Sequence, residues 1–239
     1  MCRKKDFLVA ALLSSFIAGG PAVAQPATDP HRPPCKDARC KKIEAFLETH
    51  YCGESPAGEG PDDGCDVELP ATPASGVKVT ADFECDWNEV THENECEQHG
   101  QPSSVVRDIL ARELRWLGLP AKEKGQSYFT VLESASSAWS LAGVYYSHSV
   151  GDDIELCQAV VAVDKGSHAH VLRKVSLQKT NAEVPTTTGW SPIDIADVDG
   201  DGEVEFILRG DAYEDHWLEV VRLKEGAPET IFSGLGYYL

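Results

Sequence analysis

From residue 127 to the end, the chain offers almost nothing but short strands and turns, and this pattern constrains its fold more than any other feature. Apolar and polar residues alternate, or form brief apolar runs, over 128–134, 139–147, 154–163 and 169–178. After the turn-rich stretch NAEVPTTTGWSP the same pattern returns over 193–196, 203–209, 216–223 and 229–233. Gly-Asp-Asp at 151–153, Lys-Gly-Ser at 165–167 and Glu-Gly-Ala at 225–227 supply turns, and segments this short with such breakers read as antiparallel strands. The expectation is a β-rich domain over 127–239, built as two successive groups of four strands.

The preceding region is of another kind. Ile43, Phe46, Leu47 and Tyr51 recur at helical spacing, which predicts a helix over 37–51 ended by Gly53. GESPAGEGPDDGCD, 53–66, is a loop of turn formers. Val77, Val79, Ala81 and Phe83 alternate as a strand, and Val106, Ile109, Leu110, Leu114 and Leu117 predict a second helix over about 104–117.

The N-terminus reads as an export signal over 1–24. Arg3, Lys4 and Lys5 precede a short apolar run, and Ala22-Val23-Ala24 fits the small-x-small pattern before a cleavage point. Residues 25–34, QPATDPHRPP, form a proline-rich leader. Export makes the cysteines informative, because thiols pair in oxidising compartments. Seven would survive cleavage, and Cys35, Cys40, Cys52, Cys65, Cys85 and Cys96 all precede residue 97, so 35–126 is expected to be stapled by disulfides. A helix would hold Cys35 and Cys52 roughly 25 Å apart, beyond the reach of a disulfide. The expected pairs are Cys52 with Cys65, Cys85 with Cys96, and Cys35 with Cys40, leaving Cys157 as a thiol. No short C-x2-C pairs suggest zinc.

The chain has 21 basic and 39 acidic side chains, a net −18. Nucleic acid and anionic membranes are poor partners for such a chain, since affinity for both rests on Lys and Arg. No apolar stretch after the signal is long enough to span a bilayer. An acidic chain does attract cations, and one place concentrates the charge. DIADVDGDGEVEF, 194–206, carries Asp194, Asp197, Asp199, Asp201, Glu203 and Glu205. Ca2+ takes six to eight oxygens, mostly from carboxylates and carbonyls. In the loop 197–205, Asp197, Asp199 and Asp201 stand at alternate positions, Gly200 and Gly202 free the backbone to turn, Glu203 can offer its carbonyl and Glu205 closes the set. An EF-hand loop starting at Asp197 would need its bidentate Glu where Leu208 stands.

With its closing acid at the ninth position, IADVDGDGEVEFIL resembles the calcium loop of FG-GAP/VCBS repeats, found in integrin-type β-propellers. The resemblance implies a loop joining two strands of a blade and a Ca2+ held by Asp197, Asp199, Asp201, Glu203 and Glu205. It covers about fifteen residues in one copy.

Other constellations are weaker. His168 and His170 share a strand face without a third ligand, His92 and His99 lack the spacing of a zinc-protease helix, and Asp215 and His216 are hairpin neighbours. No nucleophile elbow, C-x-x-C pair or phosphate-binding glycine loop occurs. No catalytic residue is therefore named. The reading is an exported α+β protein, periplasmic or secreted. A disulfide-stapled helical N-terminal region precedes an antiparallel β-rich C-terminal domain with propeller-blade-like strand groups. It is expected to act as a Ca2+-stabilised binding or surface-interaction module for a protein or carbohydrate ligand. The alternatives are a secreted hydrolase and an acidic inhibitor-type partner of a basic protein.

Overall fold

The computed structural model describes residues 35–52, 75–88, 93–113, 126–134, 137–150, 153–166, 168–180, 189–212 and 215–238. The expected signal, the leader and Cys65 lie outside these residues. Among the described residues two helices, α1 (Ala38–Tyr51) and α2 (Ser104–Glu113), accompany ten strands. These are β1 (Lys78–Asn88), β2 (Glu93–Gly100), β3 (Gln126–Glu133), β4 (Trp139–Val150), β5 (Asp153–Asp164), β6 (Ala169–Thr180), β7 (Gly189–Ala196), β8 (Glu205–Asp211), β9 (Asp215–Lys224) and β10 (Ala227–Tyr238).

Every strand pairing is antiparallel. The strands form a six-stranded sheet, β2-β1-β3-β4-β5-β6, and a four-stranded sheet, β10-β9-β8-β7. The second expected group of four strands is therefore one meander. The first is joined by the β1–β2 hairpin, because β1 pairs with β3, and the sheet so runs across residue 126. Among the described residues both sheets are open and neither is closed on itself, so propeller-like blades are not confirmed.

Side-chain parity explains the stacking. Alternate residues of a strand face opposite sides of its sheet. In β5, Val160 and Ala162 pack with Leu141, Trp190, Ile195, Phe206, Leu208 and Val221, a core between the two sheets. Their neighbours Ala159, Val161 and Val163 pack the other way, with Val106, Ile109 and Leu110 of α2. The four-stranded sheet does the same: Ile193, Ile207, Leu218, Val220 and Phe232 turn away from the sandwich and meet Cys40, Ile43, Leu47 and Tyr51 of α1. The layer order is α1, four-stranded sheet, six-stranded sheet, α2. Continuous apolar runs such as AVVAV in β5 and FIL in β8 follow from covering a sheet on both faces. Where β4 crosses β7 the sheets come close: a Cβ on Gly143 would lie 2.8 Å from the Pro192 ring, so only glycine fits without displacement.

The helices start where their caps allow. The Asp37 carboxylate accepts the Cys40 N–H at 2.8 Å, and the Cys35–Cys40 disulfide closes around this first turn. Cys52 and Cys96 are also in disulfides, and the register sets Cys85 opposite Cys96. Cys157 is buried with its thiol reduced.

Before α2, Ser103 donates to Glu133 from both its N–H (2.9 Å) and its hydroxyl (2.5 Å), and Thr80 Oγ1 donates to the same carboxylate at 2.7 Å. Burial pushes the Glu133 carboxyl upward, but these hydrogen bonds and nearby Lys165 outweigh it, and the net shift is downward. A lowered folded-state pKa gives stability that is present above the ordinary glutamate range and lost as pH falls through the folded value. The Glu133→Gln variant should therefore unfold at lower urea than the parent at pH 7, by about 1 kcal/mol. The gap should close in acid, and a gap independent of pH would show that these bonds do not favour the charged form.

Candidate metal centre

The acidic loop connects β7 to β8, which lie side by side in the four-stranded sheet. Gly200 and Gly202 take φ of 76° and 89°, where a Cβ would be strained, so the backbone can coil round its own carboxylates. Asp197 Oδ1 accepts the N–H groups of Gly200 (2.8 Å) and Asp201 (3.1 Å), and its Oδ2 accepts Gly202 N–H at 3.0 Å. Asp199 Oδ1 accepts Asp201 N–H at 3.0 Å, and Asp201 Oδ1 accepts Glu203 N–H at 2.8 Å. Glu205, the first residue of β8, reaches back, and its Oε2 accepts Val198 N–H at 2.9 Å.

Of the five expected ligand residues, the fold brings Asp197, Asp199 and Glu205 together, with one carboxylate oxygen from each within 4.8 Å of the other two. This is the one such group of three or more metal-ligating side chains among the described residues. Asp201 and Glu203 are exposed beside it. Asp199 is 6% exposed and Glu205 fully buried. Carboxylates this buried need compensation, yet Glu205 Oε1 has no hydrogen-bond partner. Burial pushes the Glu205 carboxyl up to about 7, with the Asp199 and Asp201 charges adding to the rise; Val198 N–H and Arg39 oppose it.

Two cations reach the loop from α1, and reading the loop by itself missed both. Arg39 pairs through Nε with Asp199 Oδ2; its Nη2 lies 3.4 Å from Asp201 Oδ2 and 3.5 Å from Glu205 Oε1. Lys42 Nζ donates to the Asp199 carbonyl at 3.1 Å. The signal was present in the helical spacing: Arg39 stands four residues before Ile43 and eight before Leu47, on the stripe that faces this sheet.

Asp194, the first acid of the run, has a different task. It is fully buried, and it accepts the hydroxyls of Tyr51 and Ser75 and the N–H groups of Ser75 (3.2 Å) and Ile195 (2.7 Å). It fastens the end of α1 and the segment before β1 to β7. An open cleft of about 420 Å3 lies next to it, lined by Phe46, Ser75, Val77, Ser134, Ile195 and Asp197, among others. Among the described residues no histidine lines this cleft, and its one carboxylate, Asp197, belongs to the acidic loop.

His168 and His170 enter no cluster of metal-ligating groups among the described residues; the His170 ring instead contacts the Gly226 carbonyl at 3.2 Å and the Trp139 ring. His92 and the side chain of Asp215 lie outside the described residues. Comparison of the chain with protein-family models, curated proteins and solved structures finds no match.

Proposed function

We propose that the chain is an exported protein whose four-stranded sheet is completed by a divalent cation, and that it acts as a binding or surface-interaction module. The observation that carries the metal reading is Glu205 Oε1: a fully buried carboxylate oxygen, without a hydrogen bond, facing two further carboxylates. Hard oxygen donors of this kind favour Ca2+, Mg2+ or Mn2+ over softer metals. Among these Ca2+ is preferred, since it accepts irregular sets that include carbonyls while Mg2+ demands octahedral geometry. Asp201 and the Glu203 carbonyl would complete the set. The connection of two neighbouring antiparallel strands supports reading the loop as a single copy of the FG-GAP/VCBS kind. The cleft that begins at Asp197 is where a protein or carbohydrate ligand would touch both the loop and α1. A disulfide at Cys35–Cys40 is compatible with export, and no described helix is long and apolar enough to cross a membrane.

A cation that binds only the folded state stabilises it by RT ln(1 + [L]/Kd), so about 5 mM Ca2+ at a Kd of ~10⁻⁴ to 10⁻³ M should add about 1 to 2 kcal/mol. For a chain of this size that is a rise of several degrees in Tm. Asp199→Ala should remove the rise, and Glu225→Ala, outside the loop, should keep it. If Ca2+ changes neither the melting curve nor the calorimetric baseline relative to chelator at matched ionic strength, the metal reading falls.

A further inference from the structure

We infer that Arg39 is a tethered cation that occupies the acidic loop when no metal is bound, and that it sets the metal affinity of the site by competing for the same carboxylates. The inference rests on the metal reading above and concerns its regulation. Three observations carry it. The Arg39 guanidinium touches Asp199, Asp201 and Glu205, so it stands against the oxygens a metal would use. It nevertheless leaves one of them incompletely served: Glu205 Oε1 is buried without a hydrogen bond, and Nη2 approaches it only to 3.5 Å. A charge-assisted N–H···O bond would be about 2.7–2.9 Å. The guanidinium is ion-paired with Asp199 but does not close on Glu205, and its own buried Nε makes no hydrogen bond, whereas a small spherical ion can sit between the carboxylates. Finally, the Arg39 side chain is 35% exposed and can withdraw into water, while its helix stays fixed through Ile43, Leu47 and Tyr51.

The helix thus holds one positive charge near the loop at high effective concentration. A metal must displace it, and apparent affinity falls by the fraction of molecules in which the site is open. An arginine in place nine-tenths of the time weakens binding about tenfold. Lys42 bonds a backbone carbonyl rather than a carboxylate and is not part of the competition.

The test compares the full chain with Arg39→Gln and Arg39→Lys, using CaCl2 alone as titrant in calorimetry and thermal melts with and without chelator. In chelator, Arg39→Gln should melt below the parent, because the carboxylates lose their counter-charge. In saturating Ca2+ the gap should close or reverse, and the Kd of Arg39→Gln should be about tenfold lower than that of the parent. Arg39→Lys keeps the charge but loses the fork, and should fall between; it also serves if the Gln variant does not fold. A purely structural arginine would lower Tm equally in both conditions and leave Kd unchanged, which would overturn the inference while the metal site stands. Ca2+ binding by the Gln variant but not by the parent would support it. Absence of binding in all three proteins would overturn the metal reading itself, and the competition with it.

Discussion

Replacing Leu47 with alanine should lower the unfolding free energy by about 2 to 5 kcal/mol, read as a fall in the urea midpoint at unchanged slope. Leu47 is fully buried where α1 meets the outer face of the four-stranded sheet, in one cluster with Ile193, Ile207, Leu218, Val220 and Phe232. Those neighbours sit on strands, whose backbones are held by the sheet ladder and cannot collapse into the space left by an isobutyl group. The penalty thus includes a cavity as well as lost transfer energy. Packing of this face carries much of the helix's stability beside its polar ties through Tyr51, Arg39 and Lys42, since a fourteen-residue helix is marginal alone in water. The same substitution should loosen the placement of Arg39 and Lys42 over the acidic loop, eight and five residues earlier on the helix. A loss below about 1 kcal/mol would mean that α1 does not pack on this sheet in solution.

How far the fold was legible depended on whether a segment carries its own periodicity. Ile43, Leu47 and Tyr51 announce α1, and turn residues bracket every strand from β4 onward, so those elements fell within a few residues of expectation. Strand β2, ENECEQHG, was not anticipated. It has no apolar alternation, and its register sets Glu84 opposite Glu97. Like charges facing each other oppose strand pairing, so nothing local favours this strand; pairing with β1, which a disulfide at Cys96 would help to fix, determines it. The same limit applied to the acidic loop. Spacing alone points to Asp197, Asp199, Asp201, Glu203 and Glu205, but it does not show that only Asp197, Asp199 and Glu205 meet as one group of side chains. Nor does it tell what Asp194, outside that ligand set, is for, since that carboxylate is claimed by Tyr51 and Ser75, partners 143 and 119 residues away. Nor does any local pattern show that the two sheets stack face to face: that depends on which faces α1 and α2 cover.

The pair formed by Glu219 and Arg173 should give the second large effect. Glu219 of β9 is 2% exposed; Arg173 of β6 holds it through Nε at 2.8 Å and Nη2 at 2.6 Å, and Trp217 Nε1 donates to its other oxygen at 3.1 Å. The bridge joins the edge of the six-stranded sheet to the four-stranded one, and Arg173 also reaches Thr230 of β10. Glu219→Ala would leave an arginine side chain only 16% exposed with no counter-charge from Glu219, a change expected to cost about 3 to 5 kcal/mol. Arg173→Met with Glu219→Met removes both charges and keeps much of the volume. Because two buried ions must first be stripped of water, the double variant should lie within about 2 kcal/mol of the parent, with the orphaned Trp217 N–H accounting for about 1 kcal/mol of any deficit. The double change should therefore be milder than the single one. Moderate salt should leave the loss in Glu219→Ala nearly unchanged, because a pair this shielded is screened much less than a surface pair. A single-variant loss of only a few tenths of a kcal/mol that shrinks further in salt would place the pair among exposed bridges, and cohesion between the two sheets would then rest mainly on Phe206, Leu208, Val221 and their apolar partners.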